Sequence, residues 1–441
     1  MKKTLFFVEK KLFNVLAYWE YWKLKRVLQY DAIKLGKYQR KQLEKTVHAA
    51  MRFNLYQEKF RQAGVDPASI HTLEDLKKIP PLTKSEYRQM VQEALDADST
   101  GIYKNCHHDH TSGSTGMPLH ICQTPREAAA VVAQLLYILN KNGYRLFRDS
   151  SLDMSSPVHK GTRKAKSVLQ RFGLLRKTYV STMDSPEHII ETINQSKPEE
   201  ILAGKSILSS VLSYAKEHQY KVHPVKLVVN TAEKMDDGAM ALIEEFFGSH
   251  VMIDTYASID LGIIASTRRE DRFCFHLNPA HYLYEILDEQ GEEAESGRIV
   301  VTRLDQREFP MLRYNQGDWI ESFRNEKTNE LFFRTVNGRA DDYIVTREGK
   351  RFSFHSLFAF LPRCLDLLQY RVIQEDYDHL HLLLVSKPGC VREHSEMERE
   401  FTENLDRYLT GANMKYTFEW VESIPMDPNG KIRVIISKVA Q

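Results

Sequence analysis

Cysteine is scarce in this chain: Cys106, Cys122, Cys274, Cys364 and Cys390 are scattered, odd in number and never spaced as Cys-x-x-Cys. That argues against a disulfide framework and for a reducing compartment, the cytoplasm. An excess of charge is missing too. Lys plus Arg number 61 against 59 Asp plus Glu, which gives nucleic acid no reason to bind. No run of about 18 apolar residues occurs, so no membrane-crossing helix is expected. The N-terminus MKKTLFFVEKKLFNVLAYWEYWKLKR begins like a leader, but Glu9, Lys10 and Lys11 interrupt its apolar run at once. Residues 4–25 nevertheless pattern as an amphipathic helix. Two fates stay open for it, packing on the main body or contact with a membrane surface. Repeats and low-complexity tracts are absent.

What is present is a globular composition, 42% apolar and 27% charged, over 441 residues, enough for about two or three domains without staples. Residues 37–64 read as one long amphipathic helix stopped by Gly64. Thr83-Lys84-Ser85-Glu86 is a capping-box pattern that opens another helix after Pro80-Pro81. From about residue 105, short apolar runs alternate with helical stretches. Leu227–Val229 and Val251–Ile253 read as buried strands joined by a crossover helix over 236–247, the arrangement of a parallel α/β sheet. Residues 281–304 read as a β-hairpin turning at Glu-Gln-Gly-Glu-Glu. Past 340, possible strands at 369–374, 380–385 and 415–420 flank a charged helix at 393–409. The expected fold is α/β: a large multi-sheet N-terminal domain (1–340, with a helical region over 1–104) and a small α+β C-terminal domain (341–441).

Thr111-Ser112-Gly113-Ser114-Thr115-Gly116-Met117-Pro118 carries the densest chemistry. Its glycines permit tight curvature, and its hydroxyls and backbone N–H groups suit a polyphosphate. It is not a Walker A loop, since no Gly-Lys-Ser/Thr follows. Taken alone, it reads equally as a surface turn. The stretch closely resembles the phosphate-binding loop of the adenylate-forming superfamily: acyl-CoA synthetases, peptide-synthetase adenylation domains and luciferases. Residues 56–88, with YQEKFRQAGVDP and TLEDLKKIPPLTK, are similar to the N-terminal region of phenylacetate–CoA ligases and their capsule-biosynthesis relatives. Further matching segments follow in the family's order almost to the C-terminus.

The resemblance implies nucleotide contacts from Thr111, Ser112, Gly113, Ser114, Thr115 and Gly116, and from Ala232 and Glu233 in Thr-Ala-Glu. Tyr256-Ala257-Ser258-Ile259-Asp260 is similar to Tyr-Gly-x-x-Glu, so Tyr256 and Ala257 would line the adenine pocket. Asp260, one methylene shorter than the family's Glu, would be a catalytic carboxylate holding magnesium; a helix-capping Asp is its plain alternative. Arg313-Tyr314-Asn315-Gln316-Gly317-Asp318 resembles R-Y-x-T-G-D, which implies that Asp318 accepts hydrogen bonds from the ribose hydroxyls. Gly338-Arg339-Ala340-Asp341-Asp342 resembles G-R-x-D-D, with Arg339 on the nucleotide and Asp341 the hinge of a mobile small domain. Pro425–Lys431 resembles P-x-x-x-x-G-K and makes Lys431 the catalytic lysine; otherwise it is an exposed turn residue.

Implied by this resemblance is an ATP- and Mg2+-dependent, AMP-producing acid–thiol ligase. A small carboxylic acid would become acyl-AMP, releasing pyrophosphate, with coenzyme A the acceptor. Two departures stand out. Met117 and Leu119 occupy positions where many relatives carry lysine. Residues 349–355 (GKRFSFH) lack the family's Gly-x-x-x-x-Pro ending. That segment faces the acceptor, so an amine, a sugar hydroxyl or a carrier-protein thiol is an alternative. A nucleotide-binding protein without catalysis is a remoter one. Cys106-His107-His108-Asp109-His110 suggests a metal, but adjacent residues face opposite sides of an extended chain and no second ligand cluster is spaced for zinc. His110 alone is a candidate to approach the phosphates. Pocket walls are expected within 151–160, 203–209 and 231–260, with Asp153, His159 and Lys160 read as solvated loop residues rather than substrate contacts.

Overall fold

A computed structural model describes residues 2–110, 119–155, 169, 172–174, 176–182, 184–231, 233–235, 237–339, 343–347, 351–353, 367–386, 390–409, 413–424 and 435–439. Its strands are β1 (His107–His110), β2 (His120–Gln123), β3 (Ser150–Ser155), β4 (Arg176–Ser181), β5 (Glu200–Ala203), β6 (Leu227–Asn230) and β7 (Met252–Ser258). They continue with β8 (Gly262–Arg268), β9 (Asp271–Leu277), β10 (Tyr282–Leu287), β11 (Ser296–Arg303), β12 (Tyr314–Arg324) and β13 (Leu331–Arg339). Beyond these come β14 (Tyr343–Val345), β15 (Arg351–Ser353), β16 (Leu367–Asp376), β17 (His379–Ser386), β18 (Lys415–Trp420) and β19 (Ile435–Ser437).

Eleven strands form one sheet in the order β10-β11-β12-β13-β9-β8-β7-β6-β5-β3-β4. Strands β4, β3, β5, β6 and β7 run parallel. From β7 to β10 every pairing is antiparallel. The β6–helix–β7 unit read from the sequence is therefore present, its helix described over Asp237–Phe247. So is the hairpin, as β10 and β11. A smaller four-stranded sheet, β18-β17-β16-β19, packs Val372, Leu380, Leu382 and Leu384 against Phe401 and Leu405 of the helix His394–Tyr408. This matches the expected α/β body with a smaller C-terminal α+β unit.

The predicted single helix over 37–64 is instead two, Ala32–Ala50 and Asn54–Ala63. Tertiary contacts override the helical period at the break. Phe53 leaves helical geometry (φ −107°, ψ 130°) to lie 6.0 Å from the Phe309 ring, and Tyr56 Oη donates to the Pro310 carbonyl at 2.7 Å. Gly64 does stop the second helix, in the left-handed region at φ 63°. The Thr83 capping box forms as read: Thr83 N–H donates to Glu86 Oε2 at 2.7 Å, and Glu86 N–H donates to Thr83 Oγ1 at 3.2 Å. Glu86 Oε1 also pairs with the buried Lys59 at 2.8 Å, so the cap ties two helices together.

Asp153 corrects one expectation. It sits in β3, largely shielded, and takes the Lys177 ammonium at 3.2 Å; it is not a solvated loop residue. His159 and Lys160 lie outside the described residues. Beside this pair, across the parallel strands, is the fully buried Glu200. Burial pushes its carboxyl up to about 7 from 4.5, against the pull of Lys177 and a bond to Ser151. Between those two values the unfolded chain has released its proton while the folded chain keeps it. Stability contributed at this site therefore falls as pH rises through that window, by roughly 3 kcal/mol. Glu200→Gln should raise the unfolding midpoint at pH 8 and leave it nearly unchanged at pH 5, measured by thermal denaturation at the two pH values.

Candidate functional site

The central segments of the expected site converge on the middle of the large sheet. Tyr256, near the end of β7, donates from Oη to Asp318 Oδ2 of β12 at 2.6 Å. Asp318 stands opposite Arg339 in the β12–β13 register. Two residues past β7, Asp260 is buried and accepts from Tyr314 Oη at 2.7 Å, while its carbonyl accepts from the buried Arg303 at 3.4 Å. Asp260 is not a helix cap: it lies in the turn between β7 and β8.

These contacts carry information about shape. β7 and β12 are four places apart in the sheet, or roughly 19 Å if it were flat. Two phenol–carboxylate hydrogen bonds across that gap require the antiparallel half to roll up until β12 faces β7. The motifs around residues 256–260 and 314–318 are thus brought together by sheet curvature, not by neighbouring strands.

A second polar group forms where the end of β6 pairs with β7, joined by the start of the helix that follows β5. Asn230 Nδ2 donates to the Glu233 carbonyl at 2.6 Å and to Asp254 Oδ1 at 2.7 Å. Glu233 Oε2 accepts from both N–H and Oγ of Ser206, at 3.0 and 2.5 Å, in the first turn of the helix Lys205–Glu217. Burial pushes the Asp254 carboxyl up to about 6, although hydrogen bonds from Asn230 and the Thr255 N–H hold it down. A buried carboxyl perturbed this way, beside the end of a parallel strand, makes this group a candidate ligand contact. Ser206 and Asp254 fall inside the wall segments 203–209 and 231–260 expected from the sequence, though neither was singled out there, and Asn230 lies one residue outside them. Their position just past two readable strands was the available signal.

Ala257 lies in β7 opposite Ile263. Thr111–Gly116, Ala232, Asp341 and Lys431 lie outside the described residues, and Arg339 is placed by its strand alone. The candidate phosphate loop is flanked by β1 and β2, whose antiparallel register sets His110 opposite His120 and so fixes both ends of the loop side by side. In the Cys-His stretch, His108 Nδ1 meets His120 Nε2 at 2.9 Å, and His108 Nε2 donates to the Tyr103 carbonyl. Among the described residues no group of three or more His, Cys, Asp or Glu side chains is arranged to hold a metal ion. None of the described helices is long and apolar enough to cross a membrane.

Arg313, inside the Arg-Tyr-x-x-Gly-Asp stretch, has a different role from its neighbours. Its guanidinium is buried against Glu285 (Nη2–Oε1 2.7 Å) and donates from Nη1 to the carbonyls of Lys77 and Ile79. Leu82 then forms a bridge to Tyr314, through Leu82 N to Arg313 O at 2.8 Å and Asn315 N to Leu82 O at 2.9 Å. The Lys-Ile-Pro-Pro-Leu segment is in this way fastened to β12 beside the candidate site.

Comparison with known proteins agrees with this layout. The CapK C-terminal domain family matches residues 345–438. CapK of Staphylococcus aureus is 21% identical, covering 83% of this chain and 81% of its own length. Phenylacetate-coenzyme A ligase of Pseudomonas putida is 22% identical, over 81% and 80%. Among solved structures, a 2-hydroxyisobutyryl-CoA ligase in the postadenylation state, in complex with 2-HIB-AMP, superposes with a TM-score of 0.72 at 18% identity, covering 92% of this chain and 89% of that one. Along about four-fifths of its length the chain is similar in sequence to CapK and to phenylacetate-coenzyme A ligase, and it shares its fold with the 2-hydroxyisobutyryl-CoA ligase.

Proposed function

We propose that this chain uses ATP to activate a carboxylic acid as its acyl-AMP, releasing pyrophosphate, and then transfers the acyl group to coenzyme A. The observation that carries the reading is the meeting of Tyr256, Asp318 and Asp260 across the rolled sheet, with Asp318 opposite Arg339. These stretches are distant in sequence, and the resemblance assigns each of them to the nucleotide or its cation.

The chemistry follows from the residue types. Asp318, held by the Tyr256 hydroxyl, offers a fixed carboxylate for both ribose hydroxyls. Tyr256 and Ala257 present a wall to the adenine, and Ala232, Glu233 and Arg339 complete the nucleotide contacts. The hydroxyls and N–H groups of Thr111–Gly116 enclose the phosphates. Lys431 neutralises charge shared between the α-phosphate and the attacking carboxylate, and positioning accounts for the rest of the rate. Asp260 has the oxygen-donor chemistry Mg2+ takes; with Oδ2 engaged by Tyr314, coordination falls to its other oxygen or to a water. The ion, when bound, would offset phosphate charge. Residues 341–441 serve as a small domain that turns about Asp341 between the two half-reactions.

A second acceptor reading has its own support. CapK is the relative whose C-terminal domain family matches this chain, and GKRFSFH departs from the ligases where the acceptor enters. Under that reading the acyl group passes to an amine, a sugar hydroxyl or a carrier thiol.

ATP–pyrophosphate exchange across aryl, fatty and amino acids tests the first half-reaction. Exchange that depends on one acid and collapses in Lys431→Ala is the expected result. No acid-dependent exchange with any class, despite ATP binding, would overturn the catalytic reading. Product formation with and without coenzyme A then separates the two acceptors.

A further inference from the structure

Among the described residues, the densest run of exposed large apolar side chains lies far in sequence from the candidate site. Leu5, Val8, Leu12, Val15, Trp19 and Trp22 follow one another in alternating steps of three and four, and each is 46–52% exposed. That spacing puts them on one face of the helices Lys2–Lys11 and Phe13–Val27. The opposite face is already used: Phe6, Ala17, Tyr21, Leu24 and Val27 are buried in the body, and Tyr21 Oη donates to Asn140 at 2.8 Å. Glu20, itself buried, clamps Arg126 and Lys23, each at 2.9 Å. The outer face is therefore held outward, and no described residue covers it. Phe147, edge-on to Tyr18 at 5.3 Å, extends the patch onto the body.

Charge decides what fits this face. Lys2, Lys3, Lys10, Lys11, Lys23, Lys25 and Arg26 outnumber Glu9 and Glu20 within these helices, so the chain's small positive balance is concentrated here and the remainder is slightly acidic, although Lys2 pairs with Glu308, Lys3 bonds the Thr100 carbonyl and Lys23 pairs with Glu20. Several cations lie over the patch's own aromatic rings: Lys11 is 5.5 Å from the Phe7 centroid, Lys25 5.1 Å from Trp22 and Arg126 4.6 Å from Trp19. Long basic side chains rimming an apolar stripe that ends in tryptophans match a headgroup boundary. A second copy fits poorly, since it would oppose two lysine-rich rims, and the stripe bends at Leu12 (φ −98°, ψ 14°) where a coiled coil needs a continuous helix.

We propose that this face seats the enzyme on an anionic membrane surface, lying in the interface without crossing it. The test is sedimentation of the full chain with vesicles of phosphatidylcholine alone or mixed with phosphatidylglycerol, at low and high salt. Binding should be about tenfold or more stronger to the anionic vesicles and weaken with salt. Trp19→Ser with Trp22→Ser should abolish it at an unchanged unfolding midpoint. In the unaltered chain, tryptophan emission should shift to the blue and be quenched by brominated anionic lipid, which covers the case of a variant that misfolds. No binding to either vesicle, or equal binding to both, would overturn the proposal. So would a dimer in light scattering that the same double variant dissociates.

Discussion

Asp318→Ala is expected to raise the ATP concentration for half-maximal pyrophosphate exchange by about two orders of magnitude, with no comparable change in the unfolding midpoint. Charge-assisted hydrogen bonds are each worth about 1.5–3 kcal/mol when an ionised carboxylate is the acceptor. Two ribose hydroxyls on one carboxylate reach about 3 kcal/mol at the low end, which is the predicted shift. Tyr256 serves as a positioning residue in this account, since its hydroxyl fixes the Asp318 carboxylate at 2.6 Å. Tyr256→Phe should therefore act in the same direction but more weakly, about tenfold, and add little on top of Asp318→Ala. Exchange kinetics of the two single variants and the double variant check this. Fully additive losses would mean that Tyr256 meets the nucleotide independently of Asp318.

The second large effect is structural. Glu285→Gln should destabilise the chain by about 3–5 kcal/mol, because it leaves the Arg313 guanidinium buried without its counter-charge. Burial already pushes the Glu285 carboxyl up, so the ion pair is retained against a desolvation cost. In many proteins, replacing both members of such a pair by apolar residues restores stability. Here Glu285→Leu with Arg313→Met should recover only part of the loss, since Arg313 also satisfies the carbonyls of Lys77 and Ile79. Arg313 has a positive φ of 49° as well, a conformation that methionine would find no easier. Denaturation of the three variants separates the two contributions: complete recovery would show that the carbonyl bonds contribute little.

Local signals in the sequence were legible where local physics sets the outcome. The Thr83–Glu86 box, Gly64 as a helix stop, β6 and β18 all follow from side chains within a few residues of one another. The break at Met51–Phe53 was not, because it is set by Phe309 and Pro310, some 250 residues away. The same holds for the candidate site. Motif resemblance pointed to Tyr256, Asp260 and Asp318 singly, but their meeting depends on how far the antiparallel strands roll, and no local pattern encodes that. Asp254, inside the expected wall segment 231–260, and Asn230, just outside it, were not singled out because each looks like an ordinary polar residue; what joins them is the pairing of β6 with β7. Arg313 was read only as part of a nucleotide motif, yet its contacts are to Glu285 and to the Lys77–Ile79 backbone, which belong to a different part of the chain.

The rolled sheet has one mechanical consequence. Its closure is stitched by two phenols, Tyr256 on Asp318 and Tyr314 on Asp260, and the carboxylates they hold are the groups assigned to ribose and to the cation. On the proposed function, ligand and seam would compete for, or share, these carboxylates. If the phenols keep their bonds, an occupied crevice tightens the roll like a drawn lace; if they yield, it loosens the seam. On that function, the stiffness of this half of the sheet would be a readout of occupancy.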